Sequence, residues 1–394
     1  MQPYIPFVTR KTGCQILTRH YADAAAAHVH ADRLPSLKAD LPRSVPLWIN
    51  PAFEGFSIAE ADRKKSWQAF MAKFPESTKF NDPAFLAKPR QPAVQSFATA
   101  LLDECAASSP KRITIPQWPI DLTDPKFKLN RYLAEAATSW RTSRNVTVEL
   151  VFPLVFTHQS QLDGKAERNK VLAHVERCLK CSDFEGIWSV DTTLADQAGT
   201  GTFEKRFQCS IKFFDELRSL TGHGKHFTAG PYWGLNLLLW ARAKIDHPAI
   251  GLGATYQYHI HGRFIILPQH PNVHVALPPL RRWATYSAEL KTWLAESLNV
   301  LPASHPARPA LADLHNKFGS YSAEDPARNQ VAHFYKEWFR ILAANPPAGR
   351  AVALYQDLSA AYVLGKAPLP LLPKDEKSAR RPERVAQHLM LNCL

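Results

Sequence analysis

Between His226 and Arg263 the sequence HFTAGPYWGLNLLLWARAKIDHPAIGLGATYQYHIHGR reads as strand, glycine turn, helix, short loop and strand. The first apolar run ends at Gly230-Pro231, and Leu235, Leu238, Leu239 and Ala243 then recur at helical spacing. After Asp246-His247-Pro248 a second apolar run begins at Ala249. Two strands joined through a helix must run in the same direction, so this stretch predicts a βαβ unit and a parallel sheet.

The pattern repeats upstream. Strands are predicted at 45–50, 112–116, 146–156, 187–191, 226–230 and 249–255, most of them separated by a helix or a helix-length gap. An open doubly wound sheet and a closed (β/α)8 barrel both satisfy that alternation. The barrel is favoured, because no glycine-rich phosphate fingerprint follows the first strand and polar residues stand at many successive strand ends. Ile265-Ile266-Leu267 and His274-Val275-Ala276-Leu277 are expected to supply the last strands.

Residues 21–30 read as an alanine-rich helical piece, and residues 1–44 as an N-terminal segment before a barrel core over 45–280. Beyond Pro278, the segments 285–298, 310–318, 329–344 and 351–364 look helical. Residues 281–394 are therefore predicted to be a mostly helical C-terminal extension, ending in a strongly charged tail after Lys374.

Hydrophobic residues make up 45% of the chain and charged residues 21%, enough for a sizeable core in 394 residues. No apolar run is long enough for a membrane span, and the N-terminus lacks a signal-peptide core. The six cysteines are scattered apart from Cys178 and Cys181, which suits a reducing, cytoplasmic compartment. Lys and Arg outnumber Asp and Glu by 48 to 35, a net charge of +13 that attracts polyanions. Nucleic acid, DNA or RNA, is the expected partner, with further protein partners possible.

In a barrel the chemistry lies at the C-terminal ends of the strands. Asp191 follows Ile187-Trp188-Ser189-Val190 and is the expected acid, base or nucleophile; its bland reading is a turn cap. His158, at the close of the long 146–156 run, and Glu149, a charge within that run, complete the catalytic candidates. A Glu149/Asp191 pair would suit glycosidase chemistry, where two carboxyl groups flank the scissile bond. Trp118, Tyr232, Trp233, Tyr256 and His259, with Arg263, Arg281 and Arg282, combine stacking rings and cations, as nucleic-acid contacts do.

His259 and His261 would share a strand face, but no carboxylate or cysteine at close spacing completes a metal site. Cys178-x-x-Cys181 lacks the second pair of a zinc ribbon and reads as two helix-borne thiols. Neither a metal nor a cofactor is predicted.

From Gly230 to Asp246, and on through Thr255-Tyr256-Gln257-Tyr258-His259-Ile260-His261-Gly262-Arg263, the arrangement resembles the late barrel units of tRNA-guanine transglycosylase-like proteins. The resemblance implies a barrel that handles a nucleobase. The family's nucleophilic aspartate has no counterpart in Gly251-Leu252-Gly253-Ala254-Thr255, and its clustered zinc cysteines are absent. The expected function is thus a nucleic-acid-associated barrel acting on a nucleobase or glycosidic bond. The alternatives are a non-catalytic nucleic-acid-binding component of a complex, or a hydrolase of a small anionic substrate.

Overall fold

The computed structural model describes residues 3–120, 127–157, 161–192, 201–222, 224–231, 239–242, 244–252, 258, 274–277, 282–285, 287–316, 318 and 339–365. Eight strands form a closed, all-parallel barrel: β1 (Ile5–Val8), β2 (Ala27–His30), β3 (Leu47–Asn50), β4 (Arg112–Thr114), β5 (Glu149–Phe156), β6 (Gly186–Asp191), β7 (His226–Ala229) and β8 (His247–Gly251). Helices return the chain between them: α1 (Lys11–His20), α2 (Leu34–Leu37), a run from α3 (Lys65–Met71) through α4 (Pro83–Ala87) to α5 (Gln91–Ala106), then α6 (Phe127–Arg144), α7 (Lys165–Leu179) and α8 (Gly201–Thr221). Residues 239–241 are helical between β7 and β8, so the βαβ unit read from His226 onward is present.

The pairing register shows how the barrel closes. Phe7 pairs with His28, His28 with Trp48, Trp48 with Arg112 and Arg112 with Glu149. Carried on through Val151–Gly186, Gly186–His226, Thr228–His247 and Ala249–Ile5, the register returns to β1 displaced by eight residues. That displacement is the shear of a (β/α)8 barrel.

Strand alternation then selects the interior. His28 and His30 on β2, Trp48 and Asn50 on β3 and Trp188 on β6 face inward. The His28 ring stacks on Trp48 at 4.2 Å between centroids and meets Trp188 edge-on at 4.9 Å, although β2 and β6 lie on opposite sides of the barrel. The interior is therefore filled rather than open. Trp48 Nε1 donates to Thr114 Oγ1 at 2.9 Å and Trp188 Nε1 to the Gly230 carbonyl at 2.6 Å, so both indoles are buried without an orphaned donor.

Two expectations are corrected. The barrel does not begin at residue 45: β1 and β2 come from the N-terminal segment, and Ala27-His28-Val29-His30 is a strand rather than the end of an alanine-rich helix. Its alternation is inverted, with small apolar residues outward and imidazoles inward, and pairing on both sides overrides alanine's helical preference. The barrel also closes at β8. β9 (His274–Leu277) pairs antiparallel with β10 (Arg282–Thr285) instead of supplying a last barrel strand, while 265–267 lies outside the described residues.

β9 and β10 belong to a second compact unit drawn mainly from residues after 265. There, helices Ala288–Val300 and Arg308–Asn316 pack Leu290, Trp293, Leu294, Leu311 and Leu314 into a small core, and Arg350–Gly365 forms a further helix. The expected helix over 329–344 is described only at its end, where residues 339–343 are helical.

Buried imidazoles make the fold sensitive to acid. Burial holds His28 down at about 3, His174 at about 3 and His247 at about 4, each from an ordinary value of 6.5. Below pH 6.5 the unfolded chain takes up protons that the folded chain refuses, so stability falls progressively as pH drops from 6.5 toward 3. Urea midpoints measured at pH 7, 6, 5 and 4 are expected to decline across this window. A flat series would contradict the assignment of these histidines as buried and neutral.

Candidate functional site

The chain leaves β3 through a tightly specified turn. Asn50 Oδ1 accepts from the Ala52 amide at 2.8 Å, and Ala52 adopts a left-handed φ of 54°. Its carbonyl accepts from Trp67 Nε1 at 3.0 Å, which ties the turn to α3. The following 3₁₀ turn, Phe53–Ser57, places Glu54 between two aromatic residues that pack outward against Phe80 and Phe97. A non-glycine residue at positive φ costs about 1–2 kcal/mol, so this conformation exists because its surroundings hold it.

Glu54 is 3% exposed, and its carboxyl accepts a hydrogen bond from the Tyr258 hydroxyl. Asn50 Nδ2 also reaches that hydroxyl, at 3.4 Å. The Tyr258 ring packs on Phe7, His30 and Trp188 at 5.5, 5.5 and 4.9 Å, all of them inward-facing barrel residues. Residues from the C-terminal ends of β1, β2 and β3, from β6, and from the segment after β8 thus converge at the barrel mouth.

The electrostatics of this group follow from its burial. Removal from water pushes the Glu54 carboxyl from 4.5 up to about 8, against the opposing effect of a backbone hydrogen bond. At neutral pH it is mainly a protonated acid able to give up a proton. Beneath it, neither ring nitrogen of fully buried His28 has a hydrogen-bond partner among the described residues. Among the described residues, no three His, Cys, Asp or Glu side chains are placed to hold a metal ion.

The sequence-predicted residues fall elsewhere. Asp191 ends β6 at 1% exposure and pairs with Phe156, whose ring packs on Phe213 of α8. Alternation puts it on the face opposite Trp188, toward the helix layer rather than the barrel interior. Glu149 opens β5 at the other end of the barrel, where Arg112 Nε donates to its Oε2 at 2.6 Å and Lys111 Nζ lies 3.6 Å from its Oε1. Burial alone would raise its carboxyl, but the Arg112 and Lys111 charges outweigh that and hold it below the usual range.

Seven residues of β5 separate Glu149 from the position paired with Asp191, roughly 23 Å at the rise of a strand. The Glu149/Asp191 glycosidase pair is therefore not assembled. Glu149 is a structural ion-pair residue.

Trp118 is 4% exposed and packs on Phe53 and Phe56. Its backbone is bound by Asn130 of α6, which accepts from the Trp118 amide at 2.5 Å and donates to its carbonyl at 3.0 Å. It backs a cavity of about 450 Å³ beside the mouth, shared with Phe56, Arg63 and Phe80. Arg282 lies in β10 of the second unit. His158, Tyr232, Trp233, Tyr256, His259, Arg263 and Arg281 lie outside the described residues.

The strand predicted over 45–50 ends on Asn50, whereas Glu54, His28 and His30 are not among the residues predicted from sequence. Two signals pointed to them: a carboxylate between Phe53 and Phe56 just past a strand, and imidazoles alternating with Ala27 and Val29.

Cys178 is buried in α7, with its Sγ 3.7 Å from His174 Nε2, and Cys181 is partly exposed beyond the helix end. Both are free thiols. No helix among the described residues is long and apolar enough to cross a membrane. No protein-family model matches the chain, and a search of curated proteins finds no match.

Two stability measurements check this geometry. Glu54 holds its proton more tightly when folded, so its contribution is fully present below pH 4.5 and is lost as pH rises to about 8. Glu54→Gln removes that loss, and its stability relative to wild type is expected to grow across that window by on the order of a few kcal/mol. Equal differences at pH 5 and pH 8 would mean that the carboxyl is not protonated. At Gly55, a Cβ would lie 2.6 Å from the ring of Trp67, which is 1% exposed and cannot swing away. Gly55→Ala is expected to cost about 1–3 kcal/mol, read as a lowered calorimetric Tm.

Proposed function

We propose that this chain is a (β/α)8-barrel enzyme whose chemistry lies at the barrel mouth, with Glu54 as proton donor to a nucleobase or its glycosidic bond. The observation that carries this reading is a buried carboxyl group hydrogen-bonded to Tyr258, with burial favouring its protonated form, at the end where (β/α)8 barrels place their active sites. Cleaving a bond from sugar to base leaves its electron pair on a ring nitrogen, which takes the Glu54 proton, while water, or an incoming base in an exchange, forms the new bond to the sugar carbon. The net charge of +13 favours a phosphate-bearing substrate. In this reading Glu54 takes the acid role that the sequence suggested for Asp191.

Two measurements test it. Fluorescence anisotropy with single-stranded DNA, duplex DNA and tRNA, titrated at several salt concentrations, should show affinity whose logarithm falls linearly with log salt. Chromatography of the same incubations should show a released or exchanged base, and Glu54→Gln should slow its appearance by about 10²–10⁴-fold while leaving binding intact. No binding to any of the three at low salt would remove nucleic acid as the partner. Binding with no Glu54-dependent turnover would leave a non-catalytic binding component.

A further inference from the structure

Three loops that follow neighbouring strands each carry a cation to the rim of the barrel mouth. Arg10 follows β1 and precedes α1, Arg33 follows β2, and Lys64 precedes α3 in the connection after β3. β1, β2 and β3 are hydrogen-bonded neighbours, so these loops are adjacent on the C-terminal face. They are also tied together: Ser66 Oγ, in α3, donates to Asp32 Oδ2 at 2.7 Å, and Arg33 Nε lies 3.5 Å from the same oxygen. Asp32 is the carboxylate acting on Lys64 in this group, while both Arg10 and Arg33 act on it repulsively. Burial, then Arg33, then Arg10 draw Lys64 below the ordinary lysine value, against the opposing pull of Asp32. Lys11 is engaged separately, with Asp40 at 3.6 Å.

Three cations stand around one buried carboxylate, Asp32, so the group carries an excess of positive charge, and that excess costs stability. The cost is increased at α1, where Arg10 and Lys11 stand at the start of a ten-residue helix that has no acidic residue in its first turn. The helix dipole favours anions there and disfavours cations. Arg10 is exposed and makes no capping hydrogen bond, so helix formation does not account for its position. An anion bound among the three cations would relieve the repulsion and use the dipole.

We propose that Arg10, Arg33 and Lys64 form a phosphate-binding cradle on the rim of the mouth, which holds the phosphoryl group of the substrate while its ring enters toward Glu54. This rests on the reading of the mouth as the active site, and it names the substrate as a phosphorylated one. Two guanidinium groups and an ammonium group suit phosphate oxygens by charge and by donor geometry. A nucleotide and a polynucleotide backbone both present that group.

Isothermal titration calorimetry at low salt with inorganic phosphate, a nucleoside 5′-monophosphate and a ten-nucleotide single strand tests the cradle. Wild type should bind all three. Arg33→Gln and Lys64→Gln should each weaken phosphate binding by about tenfold or more, and the exposed Arg10→Gln provides a variant whose folding is not at issue. Lys38→Gln, on the exposed end of α2, should change nothing. Tighter binding of the monophosphate than of the oligonucleotide, per phosphate, identifies a nucleotide as the source, and the reverse identifies a polynucleotide. Wild type failing to bind inorganic phosphate, or the three variants binding as wild type does, overturns the cradle. Glu54→Gln turnover reports separately: loss of turnover in Glu54→Gln together with cradle variants that bind phosphate as wild type does defeats only this inference, and a working cradle with full Glu54→Gln turnover defeats only the proposed chemistry.

Discussion

Barrel closure is the constraint on which the rest of the structure depends. Once eight parallel strands close with a shear of eight, every second residue of each strand is committed to one interior. The outward set must meet the helices. No strand has a free edge, so β1 and β2 cannot be optional: without them β3 and β8 would expose unpaired backbone groups. The four-residue strands β1, β2, β3 and β7 are weak alone and are held by neighbours on both sides.

That commitment determines the chemistry available at each end. Inward residues at the N-terminal end form a satisfied electrostatic group, with Arg112 on Glu149 and the His247 ring bonded to the Pro3 carbonyl at 2.7 Å. At the C-terminal end the pattern is different. Glu54 is buried without a cation to pair with its carboxyl among the described residues, and it accepts instead from a phenol that the Asn50 amide also reaches. A carboxyl group in that setting is stable only when neutral, which separates a proton donor from a structural ion pair. The cations Arg10, Arg33 and Lys64 at this end stand in the rim loops instead.

The same parity explains why strand ends alone are a poor guide to function. Asp191 and Trp188 are three residues apart on one strand and therefore face opposite sides of it. A carboxylate following an apolar run has the composition of an active-site residue. The register with Phe156, and Phe156's contact with α8, turn it toward the helices.

The sequence by itself determined the alternation of strand and helix from β3 to β8, the parallel direction of the sheet and the helical character of much of the C-terminal region. Those are local properties, carried by apolar periodicity and by the turn residues between runs. Only the tertiary structure decided that Ala27-His28-Val29-His30 is a strand, because its local preference points to a helix and the pairing on either side prevails. It likewise decided that Glu149 is an ion-pair partner rather than an acid, since Arg112 approaches it from 37 residues away. The Glu54–Tyr258 hydrogen bond spans 204 residues and joins the two ends of the barrel sequence. Neither residue stands within a strand, so no periodicity marks them; they meet because closing the barrel brings the last strand beside the first.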